Sequence, residues 1–335
     1  MRESEAPRPV TAADVARVAG VSQSTVSLVL NGKWHGRVRE ETAHRVKLTS
    51  DSLGYRINQA ARTLRLGGTG TVLLVVPTLE NPVFAAVHAG AARAGAEHGL
   101  GVVVFPLGSE DGCGPFPVPK QSIDGVLACS MPADDVAGLS TGLPLVILDD
   151  TPYGHAPTVG MDVGDGMAQA LAHLVALGHR RIVHARATRP TWTFTRRTEV
   201  LNQALLGHPE VVKLDIPVTF SPLEVRDRVT RALTGPFEPT AVICDDDNIA
   251  TGVCHAARAL GLTVGEDLSV VGFNDLPVAS LLAPTLTTVR LPLTDLGFRG
   301  IEMFMALAAG ETPASVVLPT ELVVRESTVP PRLTA

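Results

Sequence analysis

Small polar side chains are concentrated in the segment GVSQSTVSLVLNGK, residues 20–33. Gln23, Ser24 and Ser27 carry hydrogen-bond donors and acceptors on short side chains, so their backbone could approach phosphates while they still reach base edges. This chemistry favours contact with nucleic acid. The alternative is an ordinary helical bundle in which the hydroxyls only satisfy helix ends. Leu28 keeps that alternative open, because it stands where a long cation would help.

A second polar set follows predicted strands later in the chain. Asp275 follows VVGFN, the triplet Asp245-Asp246-Asp247 follows AVIC, and Arg197 is expected to open a helix after TWTFTR. A guanidinium and carboxylates that converge on one place could bind neighbouring hydroxyls in bidentate fashion. The alternatives are a charge cluster at a helix N-terminus for the triplet and a salt bridge between subdomains for Arg197.

No catalytic motif accompanies these groups. The sequence contains no G-x-S-x-G, no P-loop and no G-x-G-x-x-G after a strand. Asp246 and Asp275 could be imagined as an acid/base pair, but no nucleophile stands with them. The four cysteines and ten histidines show no metal-type or redox-type spacing. We therefore expect neither an enzyme nor a bound metal or cofactor.

The polar segment at residues 20–33 requires short helices around it. Thr11 and Asp14 form a variant of the capping box at the start of a first helix, Gly20 allows a tight turn, and Ser22 can cap a second helix. A third helix fits residues 39–55, so a helix-turn-helix is expected. The residues predicted to face inward are Val15, Val18, Ala19, Val26, Val29, Leu30, Val46, Leu53 and Tyr55.

Charge is divided unevenly along the chain. Residues 1–66 hold 11 lysines and arginines against 6 acidic residues, a balance of +5, whereas the remainder carries 17 against 28, a balance of −11. A small basic head on a large acidic body indicates that only the head meets a polyanion.

The body alternates strand-length apolar runs with amphipathic stretches of helix length. Strands are predicted at 72–76, 101–105, 125–129, 145–148, 181–185, 241–244 and 268–273, and helices at 82–98, 165–177, 197–206, 222–234, 247–260 and 292–309. Uniformly apolar strands between helices indicate parallel α/β sheets. The units are too many for one compact sheet, so two subdomains are expected, with a ligand cleft at the carboxyl ends of their strands.

The ends of the chain and its apolar runs bear on location. The first ten residues lack the apolar stretch of a signal peptide, and the longest apolar runs are far shorter than a membrane span. The expectation is a cytoplasmic protein with no membrane association.

The head resembles a known family. TAADVARVAGVSQSTVSLVLNGK, followed by EETAHRV and LGYRIN, is similar to the headpiece of the lactose-repressor family of bacterial transcription regulators. The resemblance implies that the second helix lies in the major groove. It assigns base or phosphate contact to Gln23, Ser24, Thr25, Ser27 and Asn31, and phosphate contact to Thr11 and Ser22. Leu28 departs from the pattern, because the family commonly has an arginine there that can pair with guanine; leucine could instead contact a thymine methyl.

The linker at residues 58–70 continues the resemblance. AARTL is similar to the AARSL that is usual in the hinge of the family. This implies that Leu64 wedges into the minor groove, with Ala61 set deep in the same groove, and an apolar wedge of this kind kinks the duplex. A plain flexible linker is the alternative.

The body resembles the same family in GHRRIVHA, RRTEVLNQAL, GEDLSVVGFNDLPVASLLAPTLTTVRLPLTDLG and LPTELVVRESTVPP. The resemblance implies the fold of periplasmic sugar-binding proteins, and it assigns effector binding to Phe84, Thr193, Arg197, Phe220, Asp246 and Asp275. The proline-rich segment 106–122 departs from the family, which usually has a helix there that we expect to be shortened or lost. Val163 replaces a common asparagine.

The expected organisation is a helix-turn-helix headpiece, a hinge and an α/β core with parallel sheets. Its bounds are 1–57, 58–70 and 71–329, with one subdomain at about 71–160 and 291–320 and the other at about 161–290 and 321–329. The expected function is a repressor that binds double-stranded operator DNA and is controlled by a small, sugar-like ligand. A homodimer is favoured over a tetramer. The alternative function is a solute-binding protein that delivers a sugar to a transporter.

Overall fold

The computed structural model describes residues 10–55, 68–107, 122–131, 136, 142–150, 154–189 and 191–332. The chain forms two compact units that divide between Thr69 and Gly70. Ala61, Leu64 and most of the proline-rich segment lie outside the described residues.

The first unit is a set of three helices, α1 (Ala12–Ala19), α2 (Gln23–Leu30) and α3 (Glu40–Ser52). The predicted capping box is present at α1: Thr11 Oγ1 accepts from the amide of Asp14, and the Asp14 carboxylate accepts from the amide of Thr11. Gly20 ends α1 at φ 66°, a left-handed conformation that glycine adopts at little cost.

The apolar faces of these helices meet in one core. Val15, Val26, Val29 and Val46 are almost fully buried, as predicted. Val18 was wrongly assigned to the core, since its side chain is 54% exposed. At 100° per residue, the buried face of α1 runs through Val15, Ala16 and Ala19, and Val18 lies beyond its edge.

The second unit contains two six-stranded sheets. The strands of the first are β1 (Thr71–Val76), β2 (Gly101–Pro106), β3 (Gly125–Cys129), β4 (Leu145–Leu148), β5 (Thr158–Met161) and β11 (Val316–Leu318). Those of the second are β6 (Arg181–Ala187), β7 (Val212–Val218), β8 (Ala241–Cys244), β9 (Ser269–Asn274), β10 (Thr287–Arg290) and β12 (Glu321–Val323). Their orders are β11-β5-β4-β3-β1-β2 and β12-β10-β9-β8-β6-β7. The paired strands run parallel, except that β12 runs antiparallel to β10.

Helices connect and cover these strands. They are α4 (Val83–Glu97), α5 (Val163–Leu177), α6 (Trp192–Leu205), α7 (Pro222–Leu233), α8 (Asp247–Ala259), α9 (Pro277–Leu281) and α10 (Leu293–Ala308). The central strands are buried at every position, as in β3, β4, β8 and β9, which confirms the predicted parallel α/β architecture. We call the first sheet with α4 and α10 the first subdomain, and the second sheet with α5 to α9 the second subdomain.

Two glycines let α4 and α10 approach each other closely. A Cβ on Gly90 would lie 1.8 Å from the Thr294 carbonyl oxygen, and one on Gly297 would lie 1.9 Å from the Val87 carbonyl oxygen. Any larger residue would force the helices apart. This contact fixes α10 on the first subdomain, although its sequence follows that of the second.

The start of α6 differs from the sequence prediction. The helix begins at Trp192, so Arg197 lies in its second turn instead of at a helix start, and Thr193 lies in its first turn. The residues WTFT are poor helix formers, which concealed this turn in the sequence. Burial of Thr193 and Arg197 accompanies the helical conformation.

Candidate functional site

The outer face of α2 presents short polar groups. Ser22, Gln23, Ser24 and Asn31 are exposed, and Thr25, Ser27 and Leu28 are half-buried. Ser22 Oγ accepts from the amide of Thr25 at 3.1 Å, which caps the helix as predicted. Asn31 Nδ2 donates to the Ser27 carbonyl oxygen at 2.7 Å. These bonds hold the two ends of α2 and leave Gln23 and Ser24 facing solvent.

The loop after α2 carries an aromatic anchor that was not singled out in the sequence. Trp34 packs against the apolar core of the first unit, its ring stacks on His35 at 3.9 Å, and Lys47 Nζ lies 5.4 Å from its centroid. Lys33 and Arg37 flank this anchor and are exposed. The contacts of Trp34 therefore hold this loop against the core, with Lys33 and Arg37 exposed.

In the second unit, backbone strain is concentrated where strands end. Ser130 after β3, Asp149 after β4, and Asn274 and Asp275 at the end of β9 all have positive φ, at 51°, 53°, 111° and 56°. Residues other than glycine seldom adopt this conformation, and such strain is frequent at functional sites. Ser130 and Asp149 were missed in the sequence, although each directly follows a correctly predicted strand.

Arg197 is almost completely buried, at 2% exposure. Its guanidinium carbon lies 3.7 Å from the ring centroid of Phe273, and its terminal nitrogens donate to the Asp245 carbonyl oxygen and to Thr193 Oγ1. Burial lowers the pKa of Arg197, and the charge of Asp245 opposes that shift. Its Nε has no hydrogen-bond acceptor among the described residues. One donor of this buried cation is thus unpaired among the described residues.

Asp149 is the complementary group from the first subdomain. Its Oδ2 accepts from Ser130 Oγ at 3.0 Å, and its buried Oδ1 has no donor in the described part of the chain. Burial raises the pKa of Asp149 to about 6, and the positive charge of Arg197 works against this rise. Asp149 thus contributes an unpaired buried acceptor from the first subdomain, and Arg197 an unpaired buried donor from the second.

Asp246 joins the two subdomains directly. It caps α8 by accepting from the amide of Asn248 at 2.7 Å, and its other oxygen accepts from Asn274 Nδ2 at 2.8 Å. The same oxygen accepts from Asn81 Nδ2, on the loop after β1, at 2.9 Å. We call the region in which this bond, Asp149 and Arg197 lie the cleft. Both oxygens of Asp246 have protein partners, so its predicted effector contact stays a prediction.

The other two carboxylates of the triplet are also held by the protein. Asp247 accepts from Thr288 Oγ1 at 2.6 Å and from the amide of Leu276 at 2.7 Å, while Asp245 accepts from His184 and from the amide of Ala187. Burial raises the pKa of Asp247 to about 7. The alternative interpretation of the triplet as a charge cluster at a helix start fits its position at α8.

Asp275 is paired with two arginines. Its oxygens accept from Arg290 Nε at 2.8 Å and from a terminal nitrogen of Arg325 at 2.6 Å. Phe220 follows β7 and lies 5.9 Å, between ring centroids, from Phe194, whose ring Arg197 also covers. This places Phe220 in an aromatic row leading to Arg197.

Phe84 lies in the first turn of α4 and is 7% exposed, packed in the largest apolar cluster of the core. It is therefore a packing residue, and its predicted contact with a ligand stays a prediction. Among the described residues, no helix is long and apolar enough to cross a membrane.

A helix-turn-helix unit with an exposed polar face, followed in the chain by two mostly parallel sheets with polar groups at their strand ends, is the organisation of a DNA-binding regulator with a ligand-binding core. Residues 11–58 match the bacterial regulatory proteins of the lacI family, and residues 171–328 match a periplasmic binding protein-like domain.

Whole-chain similarity agrees with these matches. The HTH-type transcriptional regulator MalR of Streptomyces coelicolor is 35% identical over 336 residues, covering 94% of this chain and 96% of that protein. The fold of this chain is similar to that of the Lac repressor dimer bound to operator and the anti-inducer ONPF. The TM-score is 0.79 at 24% identity, and the match covers 96% of this chain and 100% of that chain. The transcriptional regulator CelR in complex with cellobiose has TM-score 0.71 and 28% identity, at the same coverage. The chain belongs to the lacI family of bacterial regulatory proteins.

Family membership makes the chain a DNA-binding transcription regulator with a periplasmic-binding-protein-like core. The relatives named above are transcription regulators. The alternative of a solute-binding protein without a regulatory role is not favoured.

Proposed function

We propose that the chain is a cytoplasmic repressor that binds operator DNA as a homodimer and is controlled by a small polyhydroxy ligand in the cleft. The observation that carries this proposal is the pair of orphaned buried atoms, Arg197 Nε and Asp149 Oδ1, which come from different subdomains. A ligand that satisfies both would stabilise one relative position of the subdomains.

The polar face of α2 would meet the major groove. Its exposed amides and hydroxyls suit base edges and phosphates, and the cations flanking Trp34 suit phosphates. The proposed DNA contacts are Thr11, Ser22, Gln23, Ser24, Thr25, Ser27, Leu28 and Asn31, with Ala61 and Leu64 of the hinge in the minor groove. One headpiece covers one half-site, so two chains would be needed for a palindromic operator.

The charges around the cleft favour an uncharged ligand. Asp149, Asp246 and Asp247 are buried carboxylates, and Arg197 is the buried guanidinium near them, whereas the buried His184 is already paired with Asp215 and Asp245. An anionic ligand would face this acidic surplus, while a sugar hydroxyl can donate to Asp149 and accept from Arg197. Thr193, Phe220, Phe84, Asp246 and Asp275 complete the proposed effector set. The cellobiose complex of CelR is consistent with a sugar-like ligand.

Control of DNA binding follows by linkage. A ligand that binds one arrangement of the subdomains more tightly shifts the chain toward it, and operator affinity changes by the same coupling free energy. Whether the ligand releases or retains the operator depends on which arrangement brings paired headpieces to the half-site spacing.

The test is footprinting on the DNA flanking the gene of this protein, repeated with a panel of sugars and nucleobases. We expect a protected palindrome whose protection changes with one of the sugars. Arg197→Ala should abolish this response while leaving protection in the absence of sugar unchanged. Arg196→Ala is the matched control, because Arg196 lies on the same helix with its side chain 49% exposed and pairs with Glu199.

Two results would contradict the proposal. The absence of a protected palindrome under any condition would remove the operator-binding role. A full sugar response in Arg197→Ala would remove Arg197 from the effector site.

A further inference from the structure

A buried histidine connects the outer strand of the second sheet to the cleft. His184 lies in the middle of β6 and is 0% exposed. It stands beside Asp215 in the parallel pairing of β6 with β7, and Asp245 follows β8 on its other side. Its Nδ1 lies 3.2 Å from Asp215 Oδ1, and its Nε2 lies 3.0 Å from Asp245 Oδ1. Each ring nitrogen therefore faces a carboxylate oxygen.

This arrangement favours the doubly protonated ring. A neutral imidazole has one N–H and can donate to only one of the two carboxylates, whereas an imidazolium donates to both. Burial opposes the charged ring, but the charge of Asp245 and the hydrogen bonds to both carboxylates outweigh it, so the pKa of His184 is raised above its usual value of 6.5. Lys213 also faces this group, binding Asp215 through Nζ at 2.6 Å and opposing the imidazolium.

Asp245 connects His184 to Arg197. Its Oδ2 accepts from the amide of Ala187 at 2.8 Å, and its own amide donates to the Ala185 carbonyl oxygen at 3.2 Å. Its carbonyl oxygen accepts from Arg197. The side chain of Asp245 is thus held by His184, and its main chain holds the guanidinium at the cleft.

We propose that His184 is a positioning residue for the effector site. As an imidazolium between Asp215 and Asp245, it fixes the main chain of Asp245, whose carbonyl oxygen orients Arg197. The affinity of the site for the ligand therefore falls when the ring loses its proton. This inference rests on the proposed role of Arg197. Because the pKa of His184 is raised, the imidazolium that holds Asp245 is fully present at low pH. It is lost as the pH rises through the pKa of His184 in the folded protein.

The first test needs no ligand. Full-length chain labelled with ¹⁵N in histidine and arginine is titrated from pH 6 to pH 10, and the ring nitrogens of His184 and the Nε of Arg197 are followed by NMR. We expect a doubly protonated His184 ring at pH 6 and an Arg197 Nε signal that shifts in step with its deprotonation. An Arg197→Lys variant assigns the arginine signal.

Three variants separate positioning from simple packing. His184→Gln keeps a donor but cannot titrate, so the step in the Arg197 signal should disappear. Asp215→Asn removes the outer charge and should move the step to lower pH by about one unit or more. Since Asp215 is 43% exposed in its side chain, this variant remains informative if His184→Gln fails to fold. His208→Gln is the matched control, because His208 is a surface histidine paired with Glu210.

The second test uses whichever of maltose, cellobiose or ribose alters operator protection. The affinity of the chain for this sugar is measured by calorimetry across the same pH range. In the wild type it should fall as His184 loses its proton, and in His184→Gln this fall should be absent. A neutral His184 ring at pH 6 would overturn the inference. An Arg197 Nε signal that does not change as His184 titrates would also overturn it. If no member of the footprinting panel alters operator protection, ligand control in the proposed function fails, while the NMR titration still decides the role of His184.

Discussion

The hydrogen bond between Asn81 and Asp246 offers a direct way to change how the two subdomains sit. Asn81 has two roles: its Oδ1 accepts from the amide of Val83 at 3.1 Å at the start of α4, and its Nδ2 donates across the cleft to Asp246. Asn81→Ser keeps an oxygen that can cap the helix but is too short to reach Asp246. The substitution therefore removes the crossing bond and spares the cap.

The expected size follows from the burial of the acceptor. Asp246 is 1% exposed, so its lost partner is not readily replaced by water. A hydrogen bond to a charged group contributes about 1.5–3 kcal/mol. If this free energy acts only in the closed arrangement, the ratio of closed to open molecules falls by about one to two orders of magnitude.

The assay is pulsed electron paramagnetic resonance, which measures the distance between two spin labels. The labels are placed at exposed positions of α4 and α8, at Glu97 and Arg258. The labelled chain is diluted with unlabelled chain so that distances within one subunit dominate. We expect one narrow distance distribution in the wild type and an added, longer population in Asn81→Ser. Addition of the active sugar should restore the narrow distribution, provided that the sugar favours the closed arrangement.

Asn248→Ala provides the control. Asp246 accepts from the backbone amide of Asn248, so this substitution alters a neighbouring side chain and keeps the bond. An Asn81→Ser distribution identical to that of the wild type would refute the reasoning, because the crossing bond would then contribute nothing to closure.

Three further predictions concern the DNA contacts and the cleft. Leu28→Arg should gain a preference for guanine at the contacted base, by about 1–3 kcal/mol of discrimination, in a binding selection on randomised operators; unchanged selectivity would place position 28 away from the bases. Leu64→Ala should weaken binding to the operator more than binding to random DNA in a mobility-shift assay, and equal losses would exclude the wedge. Asp149→Asn should be more stable than the wild type at pH 7, and the difference in unfolding free energy should shrink as the pH falls. The pKa of this carboxyl is about 6 in the folded chain against 3.8 for the ordinary group, so the wild type loses up to about 3 kcal/mol between pH 4 and pH 7. A difference independent of pH in chemical denaturation would show that the Asp149 carboxyl titrates normally.

Local patterns in the sequence carried much of the architecture. The capping box at Thr11, the turn at Gly20 and the buried strands depend on residues within a few positions of one another, so their chemistry is visible without the fold. The same rule missed β5, β7, β10, β11 and β12. Length alone is not the reason, because β4 and β8 have four residues and were predicted, whereas β7 has seven. The predicted short strands, LVIL and AVIC, are uniformly apolar, whereas β7 (VKLDIPV), β10 (TTVR) and β12 (ELV) include polar or charged residues that interrupt the apolar run.

The polar residues show a different limit of prediction from the sequence. The sequence placed Asp245, Asp246 and Asp275 at strand ends, which the structure confirms, but it could not show that their carboxylates already have partners within the protein. Those partners lie far along the chain: Asn81 is 165 residues from Asp246, and Arg325 is 50 residues from Asp275. No local periodicity records such pairings.

The sequence by itself determined the two classes of element, the basic headpiece and the strand ends at which polar groups gather. Only the tertiary structure decided which of those groups remain unsatisfied. Arg197 Nε and Asp149 Oδ1 are orphaned because burial removes water, and because the packing of α6 and of the first sheet brings them no partner among the described residues. Hydrogen-bond satisfaction depends on the whole set of neighbours in space, and that set exists only once the chain has folded.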